Sequence, residues 1–128
     1  MAGLVLAIEG GGTKTRIFLA DLDGNVLAAE GMSGASPLYI QRDRFREQLR
    51  DLLHRVHQVM ESHGGRVFRV GVAAPMDLPL VKSIVEDVFG PVHFVEVSEG
   101  EVCLMLHGLQ VGVALVAGTG SSCRAVNE

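Results

Sequence analysis

The sequence predicts an α/β domain with a mixed five-stranded sheet, helices on both faces of the sheet and a β-hairpin at the C-terminal end. Three short apolar runs come first in close succession. Amphipathic helices then alternate with further apolar runs, and two strand-like runs finally flank a glycine turn. Closely spaced strands form antiparallel meanders, whereas strands separated by helices pair in parallel. The predicted order is therefore βββαβαβα followed by ββ.

The first three strands are predicted from their apolar patterns and from the turns between them. Leu4 to Ile8 is a continuous apolar run, and Arg16 to Asp21 alternates between apolar and polar residues. Asp-Gly-Asn at 23–25 is a turn signal before Val26 to Ala29. These runs predict a three-stranded meander whose later partners are parallel strands.

Amphipathic helices and further strands make up the middle of the chain. Ser36 and Pro37 are predicted as the N-cap and first residue of a long helix that ends at Gly64-Gly65. Its apolar face consists of Phe45, Leu49, Leu52, Leu53, Val56, Val59 and Met60. The later elements are predicted as a strand at Val67–Ala73, a helix at Leu80–Phe89, a strand at Val92–Val97, a helix at Ser98–His107, and a hairpin of Val111–Ala117 with Arg124–Val126.

Composition limits the possible classes of protein. The 128 residues, 48% of them hydrophobic, suffice for one domain, and the net charge is −4. The arginines of the first helix are mixed with acidic residues, so no nucleic-acid surface is expected. No leader-like or membrane-spanning run is present. Cys103 and Cys123 lack metal-ligand spacing, and the sequence predicts a cytoplasmic protein without a membrane partner.

Two glycine turns are the most informative motifs. Gly10-Gly11-Gly12-Thr13-Lys14 lacks side chains where backbone N–H groups could approach an anion, and it adds a hydroxyl and an ammonium group. It does not have Walker A spacing, and it leads into a strand, where a dinucleotide fingerprint would lead into a helix. Gly118 to Ser122 forms a similar turn within the C-terminal hairpin. Both turns are predicted to contact phosphate.

Two carboxylates are candidates for chemistry. Glu9 ends an apolar strand beside the first glycine turn, where a carboxylate requires a metal or a hydrogen-bond donor. Glu99 follows the fifth strand, but Ser98 and Glu101 have capping-box spacing, which explains acidic residues at this point without catalysis. The sequence alone leaves both interpretations of Glu99 open.

The whole chain resembles the N-terminal part of N-acetylglucosamine kinases and the BadF/BadG/BcrA/BcrD ATPases. The similarity lies in the motifs Glu9 to Lys14, Gly24 to Leu27 and Leu115 to Arg124, of which the last is the most specific. It implies a ribonuclease H-like, actin-like ATPase lobe that spans residues 1–128, without the second lobe of the family. It also implies ATP and Mg²⁺ as cofactors and an amino sugar as the substrate of the parent protein.

The resemblance assigns roles to individual residues. Glu9 would hold Mg²⁺ through water, and Glu99 would occupy the position of the aspartate that accepts the proton of the sugar hydroxyl. The phosphate contacts would come from Gly11, Gly12, Thr13, Lys14, Gly118, Thr119, Gly120 and Ser121.

The sequence departs from the family at three positions. Glu99 has one methylene more than the expected aspartate, and a misplacement of about 1 Å can cost ~100-fold in rate. Ala35 replaces a sugar-binding asparagine, and Met76-Asp77 replaces a glycine pair. A non-catalytic nucleotide-binding or regulatory module is therefore an alternative function, and an activator ATPase of a radical dehydratase is a third. The apolar hairpin predicts a homo-oligomer that associates through its exposed edge.

Overall fold

The computed structural model describes residues 1–11, 13–33, 40–73, 77–118 and 121–128. The elements in this part of the chain follow the order predicted from the sequence. They are β1 (Ala2–Gly10), β2 (Lys14–Asp21), β3 (Val26–Ser33), α1 (Arg42–Ser62), β4 (Gly65–Ala73), α2 (Leu78–Phe89), β5 (His93–Glu96), α3 (Glu99–Leu106), β6 (Gly112–Ala117) and β7 (Ser121–Val126).

The first five strands form one mixed sheet in the order β3-β2-β1-β4-β5. β2 is antiparallel to both β1 and β3, whereas β4 pairs in parallel with β1 and with β5. The predicted contact between the first and fourth strands is present, with Leu4 opposite Val67 and Ile8 opposite Val72. The mixed five-stranded α/β sheet is thus confirmed.

Both longer helices pack on the same face of this sheet and enclose the core with it, whereas the sequence predicted helices on both faces. The alternation of β1 buries every second side chain, including Leu4, Leu6 and Ile8, against α1 and α2. Each such side chain contributes about 1.5–3 kcal/mol when it is fully buried. Helix α3 packs on β6 and β7. None of the helices in the described ranges combines the length and apolar composition needed to cross a bilayer.

The start of α1 differs from the prediction. The helix begins at Arg42, and its N-cap is Gln41, whose side chain makes no capping hydrogen bond. The predicted cap at Ser36 was therefore wrong, although Ser36 and Pro37 themselves lie outside the described residues. A salt bridge of 3.0 Å joins Arg42 to Asp77, the N-cap of α2. The first residue of α1 thus contacts the N-terminus of α2. The sequence showed only the local capping signal at Ser36 and Pro37 and could not show this contact.

The C-terminal hairpin is a separate two-stranded sheet in which Ala114 pairs with Arg124 and Ala117 with Ser121. β7 begins at Ser121, earlier than predicted. Val113 and Leu115 are 71% and 76% exposed. Two apolar side chains of the hairpin are thus exposed, while those of Val116 and Val126 are partly buried.

Candidate functional site

The sheet topology brings the carboxyl ends of four strands to one edge. β1, β3, β4 and β5 run in the same direction, so Gly10, Ser33, Ala73 and the Ser98–Glu99 segment all lie at this carboxyl edge. Adjacent strands are about 4.8 Å apart, which places the end of β5 roughly 10 Å from the end of β1. Ligands of open α/β sheets bind at such an edge. The first glycine turn and Glu99 therefore lie on the same side of the molecule.

The first glycine turn connects β1 to β2 at this edge. The Gly11 amide donates to the Lys14 carbonyl at 2.8 Å, and the side chains of Thr13 and Lys14 are exposed. Gly12 lies outside the described residues. Gly11 does not have a left-handed backbone, and a Cβ atom added to it would meet nothing within 4 Å. Neither backbone conformation nor packing requires glycine at this position, and the open space would allow a ligand to approach the backbone closely.

A shallow pocket lies beside this turn, between the ends of β2 and β3. It has a volume of about 360 Å³ and is lined by Lys14, Thr15, Arg16, Gly31, Met32 and Ser33. Thr15 is fully buried, and its Oγ1 has no hydrogen-bond partner in the part of the chain that the structure describes. The sequence interpretation did not single out Thr15. The alternation of β2, which places it on the same face as Ile17 and Leu19, was the available signal.

Glu9 lies at the end of β1 opposite Arg16 of β2. Arg16 Nη2 is 3.3 Å from Glu9 Oε1, and both side chains are about half exposed. The donor expected for this carboxylate is therefore an arginine. Within the described ranges, no three His, Cys, Asp or Glu side chains form a metal-binding group. A single carboxylate nevertheless fits Mg²⁺, which keeps several waters and takes further oxygens from phosphates.

Glu99 is the first residue of α3, and the capping box of this helix does not use it. The Ser98 hydroxyl accepts from the Glu101 amide at 3.1 Å, and Glu101 Oε2 accepts from the Ser98 amide at 2.9 Å. Hydrogen bonds from Ser98, with a smaller contribution from Arg124, lower the pKa of Glu101. Because Glu101 completes the cap, capping does not account for Glu99, which is partly exposed at the carboxyl edge.

The second glycine turn lies at the tip of the β6–β7 hairpin. Gly118 and Ser121 are exposed, whereas Thr119 and Gly120 lie outside the described residues. Arg124 of β7 lies 3.5 Å from Glu101 Oε1, so the hairpin is bonded to the N-terminal turn of α3. The sequence interpretation had no signal for this ion pair, because it depends on how α3 packs on the hairpin.

Asp77, which belongs to one of the departures from the family pattern, follows β4 and is the N-cap of α2. Asp77 accepts a hydrogen bond from the Leu80 amide at 3.1 Å and pairs with Arg42, so its carboxylate has a structural role. Met76 and Ala35 are outside the described residues. The structure thus brings the first glycine turn, Glu99 and the strand ends to one edge, and it leaves the position of the Ala35 segment open.

Comparison with known proteins identifies the fold. No protein-family model matches the sequence, and no curated protein sequence matches it. Solved structures do match. A candidate N-acetylglucosamine kinase from Porphyromonas gingivalis aligns with 93% of this chain and 43% of its own, with 22% identity and a TM-score of 0.70.

Two further structures extend this likeness. A ROK family glucokinase from Streptomyces griseus, in complex with glucose and AMPPNP, aligns with 94% of this chain and 43% of its own, with 19% identity and a TM-score of 0.64. A ROK family transcriptional regulator homologous to the E. coli MLC protein aligns with 98% of this chain and 37% of its own, with 13% identity and a TM-score of 0.71. This chain spans less than half the length of these three proteins. The likeness confirms the α/β fold and shows that this chain shares it with the matched parts of these proteins.

Proposed function

We propose that this chain is the ATP-binding lobe of a sugar-kinase-like protein, whose reaction transfers a phosphoryl group from ATP to an amino sugar such as N-acetylglucosamine. Gly11 is the observation that carries the proposal. It occupies the turn at the carboxyl edge, yet neither its backbone conformation nor its packing requires a glycine. The structural likeness to a glucokinase in complex with AMPPNP supports ATP as the ligand.

Phosphoryl transfer depends mainly on positioning and charge neutralisation, and the residue types of both turns fit these tasks. In the first turn, the Gly11 backbone would approach the phosphates, the Thr13 hydroxyl would donate a hydrogen bond, and Lys14 would supply a positive charge. The proposed phosphate contacts are those of Gly11, Gly12, Thr13, Lys14, Gly118, Thr119, Gly120 and Ser121.

Glu9 is the proposed magnesium residue. When it is bound, Mg²⁺ supplies positive charge to the phosphate oxygens. The Glu9 carboxylate would hold the ion through water in place of its contact with Arg16. The Glu9–Arg16 ion pair is exposed and therefore weak. Arg16 would then be free to approach the same phosphates.

Glu99 is the proposed general base for the sugar hydroxyl. A general base must be within reach of the proton that it accepts, and Glu99 lies at the carboxyl edge, about two strands from the first glycine turn. The capping box satisfies the start of α3 through Ser98 and Glu101, which leaves the Glu99 carboxylate for another role.

Titration of ATP·Mg²⁺ into this chain, followed by amide chemical shifts, tests the proposal. We expect an affinity near millimolar, equivalent to about −4 kcal/mol, because this chain spans less than half the length of the matched kinases. Gly11→Ala should weaken binding about tenfold. Gly71→Ala is the matched control, because Gly71 has equally open space at its Cβ and lies within β4.

Both glycine variants should be as stable as the original chain or more stable by about 0.4–1 kcal/mol, because alanine lowers the entropy of the unfolded chain. Equal ATP affinity in the Gly11→Ala and Gly71→Ala variants would contradict the phosphate role of the first turn. Micromolar affinity for ATP in this chain would show that the nucleotide pocket is already complete.

The catalytic part of the proposal requires a longer protein. This chain alone should not phosphorylate a sugar, because closure of two lobes provides the in-line geometry. In a protein that joins this chain to a second lobe, Glu99→Gln should abolish transfer to N-acetylglucosamine and leave nucleotide affinity unchanged. Full activity of that variant would exclude Glu99 as the base.

A nucleotide-binding regulatory module is the second candidate. The matched ROK family transcriptional regulator supports it, because the same fold occurs there in a protein named as a regulator. Glu99, whose side chain is one methylene longer than the aspartate expected from the resemblance, also favours this candidate. ATP binding without any sugar phosphorylation in the two-lobed protein would decide for the module.

A further inference from the structure

We propose that Arg124 is a positioning residue, which fixes the orientation of the β6–β7 hairpin relative to α3 and thereby the place of Gly118 and Ser121, the described ends of the second glycine turn, relative to Glu99. The proposal rests on the proposed function only for its consequence in ATP binding. Its geometric part concerns α3, which is the main packing partner of the hairpin. A two-stranded hairpin is marginally stable by itself, so its orientation depends on such a support.

The backbone of α3 approaches Arg124 closely at Gly100. A Cβ atom on Gly100 would clash with Arg124 Cβ and would lie 3.1 Å from Arg124 Cγ and 3.5 Å from Ala114 Cβ. Gly100 is buried and its backbone is not left-handed, so packing is the reason for glycine at this position. The stem of Arg124 thus lies directly on the first turn of α3.

The charged end of Arg124 adds a second connection. Arg124 Nη2 lies 3.5 Å from Glu101 Oε1, and the other oxygen of the same carboxylate accepts from the Ser98 hydroxyl at 2.7 Å. One carboxylate therefore joins the hairpin to the cap of α3. Glu99 lies between the two capping residues in the sequence, so this connection also fixes the segment that carries the proposed base.

The direction of β6 relative to α3 places Ala117, the last residue of β6, near the N-terminus of α3. Gly100 packs near Ala114, whereas Leu104, one turn later, lies beside Gly112, where an added Cβ would be 3.1 Å from Leu104 Cδ2. β6 therefore runs antiparallel to α3. Ala117, three residues past Ala114, is roughly 10 Å further along the strand, on the side where Glu99 begins the helix.

Residual dipolar couplings of backbone amides test this orientation without any ligand. In the original chain, the amides of the hairpin and those of α3 should fit one alignment tensor. In Arg124→Ala they should require two, and Arg124→Lys, which retains the stem and the charge, should restore one. Arg50→Ala is the matched control, because it breaks an exposed 3.0 Å ion pair between α1 and α2. A single unchanged tensor in Arg124→Ala would overturn the proposal.

A second readout tests the consequence for binding. ATP·Mg²⁺ should shift the amides of both glycine turns in the original chain. In Arg124→Ala the shifts at Ser121 and Ser122 should be lost, those at Gly11 and Lys14 should remain, and affinity should fall about three- to tenfold. Uniform weakening at both turns would contradict a positioning role. If ATP shifts neither turn in the original chain, the proposed function fails, whereas the dipolar couplings still decide the orientation.

Discussion

Glu9 and Arg16 lie directly opposite each other on β1 and β2, and the Arg16 guanidinium is 3.3 Å from the Glu9 carboxylate. The pair stands at the carboxyl edge beside the first glycine turn. A carboxylate that could hold Mg²⁺ is thus already neutralised by a residue of the neighbouring strand. Any metal at Glu9 must compete with this arginine.

The competition predicts the effect of Arg16→Gln on magnesium dependence. The ratio of ATP affinities measured with Mg²⁺ and with a chelator should rise, by at most about fivefold, because an exposed ion pair contributes up to ~1 kcal/mol. The double variant Glu9→Gln with Arg16→Gln should show no such rise. Calorimetric titration of both variants measures the ratio. An unchanged ratio in Arg16→Gln would mean that Glu9 does not hold the metal.

Thr15 provides a prediction about stability. Its Oγ1 is buried without a hydrogen-bond partner in the described ranges, and valine has nearly the same shape. Removing an unsatisfied buried hydroxyl should raise the free energy of unfolding by about 1–3 kcal/mol in Thr15→Val. Urea denaturation measures this change, and Thr15→Ala, which leaves a cavity, should be less stable than Thr15→Val. Destabilisation by Thr15→Val would reveal a partner for Oγ1 outside the described residues.

The capping box predicts a pH dependence of stability. Hydrogen bonds from Ser98, with a smaller contribution from Arg124, hold the pKa of Glu101 below its ordinary value of 4.5. A carboxylate with a lowered pKa in the folded state stabilises the protein above its unfolded pKa, and this contribution is lost as the pH falls through the folded value. The melting temperature of Glu101→Gln should therefore be lower than that of the original chain at neutral pH.

The difference between the two melting temperatures should shrink once the pH falls below about 4.5. Asp21, whose pKa is lowered by hydrogen bonds from Asn25, is present in both proteins, so its own titration cancels in the comparison. Ser98→Ala removes the hydroxyl of the same cap and should cost about 1 kcal/mol of stability. A difference that stays constant from neutral to acid pH would contradict the role given to the Glu101 charge.

The sequence predicted the elements whose patterns are local and repeated. The apolar face of α1 and the continuous run of β4 follow directly from hydrophobic periodicity, and their order predicted the sheet. Features that depend on register or packing were not predictable. Arg16 faces Glu9 because of the strand pairing, and the helix start at Arg42 coincides with a contact to α2. The same reason explains why the Arg124–Glu101 pair was not predicted.

The hairpin provides the last prediction, which concerns self-association. β6 carries no charged side chain, and in the described sheets it pairs only with β7, so one backbone edge remains free. Two copies that meet antiparallel at this edge would place no like charges opposite each other. We propose that a second copy of this chain pairs there and covers Val113 and Leu115, which are 71% and 76% exposed.

Sedimentation velocity over a wide concentration range measures this association. The original chain should form a dimer or higher oligomer. Leu115→Lys should be monomeric, because burying the lysine ammonium group in the interface is costly and because it repels the same lysine of the second copy. Leu22→Lys is the matched control, since Leu22 is 68% exposed in the turn after β2 and far along the chain from the hairpin. If the original chain stays monomeric at every concentration, or if Leu22→Lys dissociates the oligomer equally, the hairpin is not the interface.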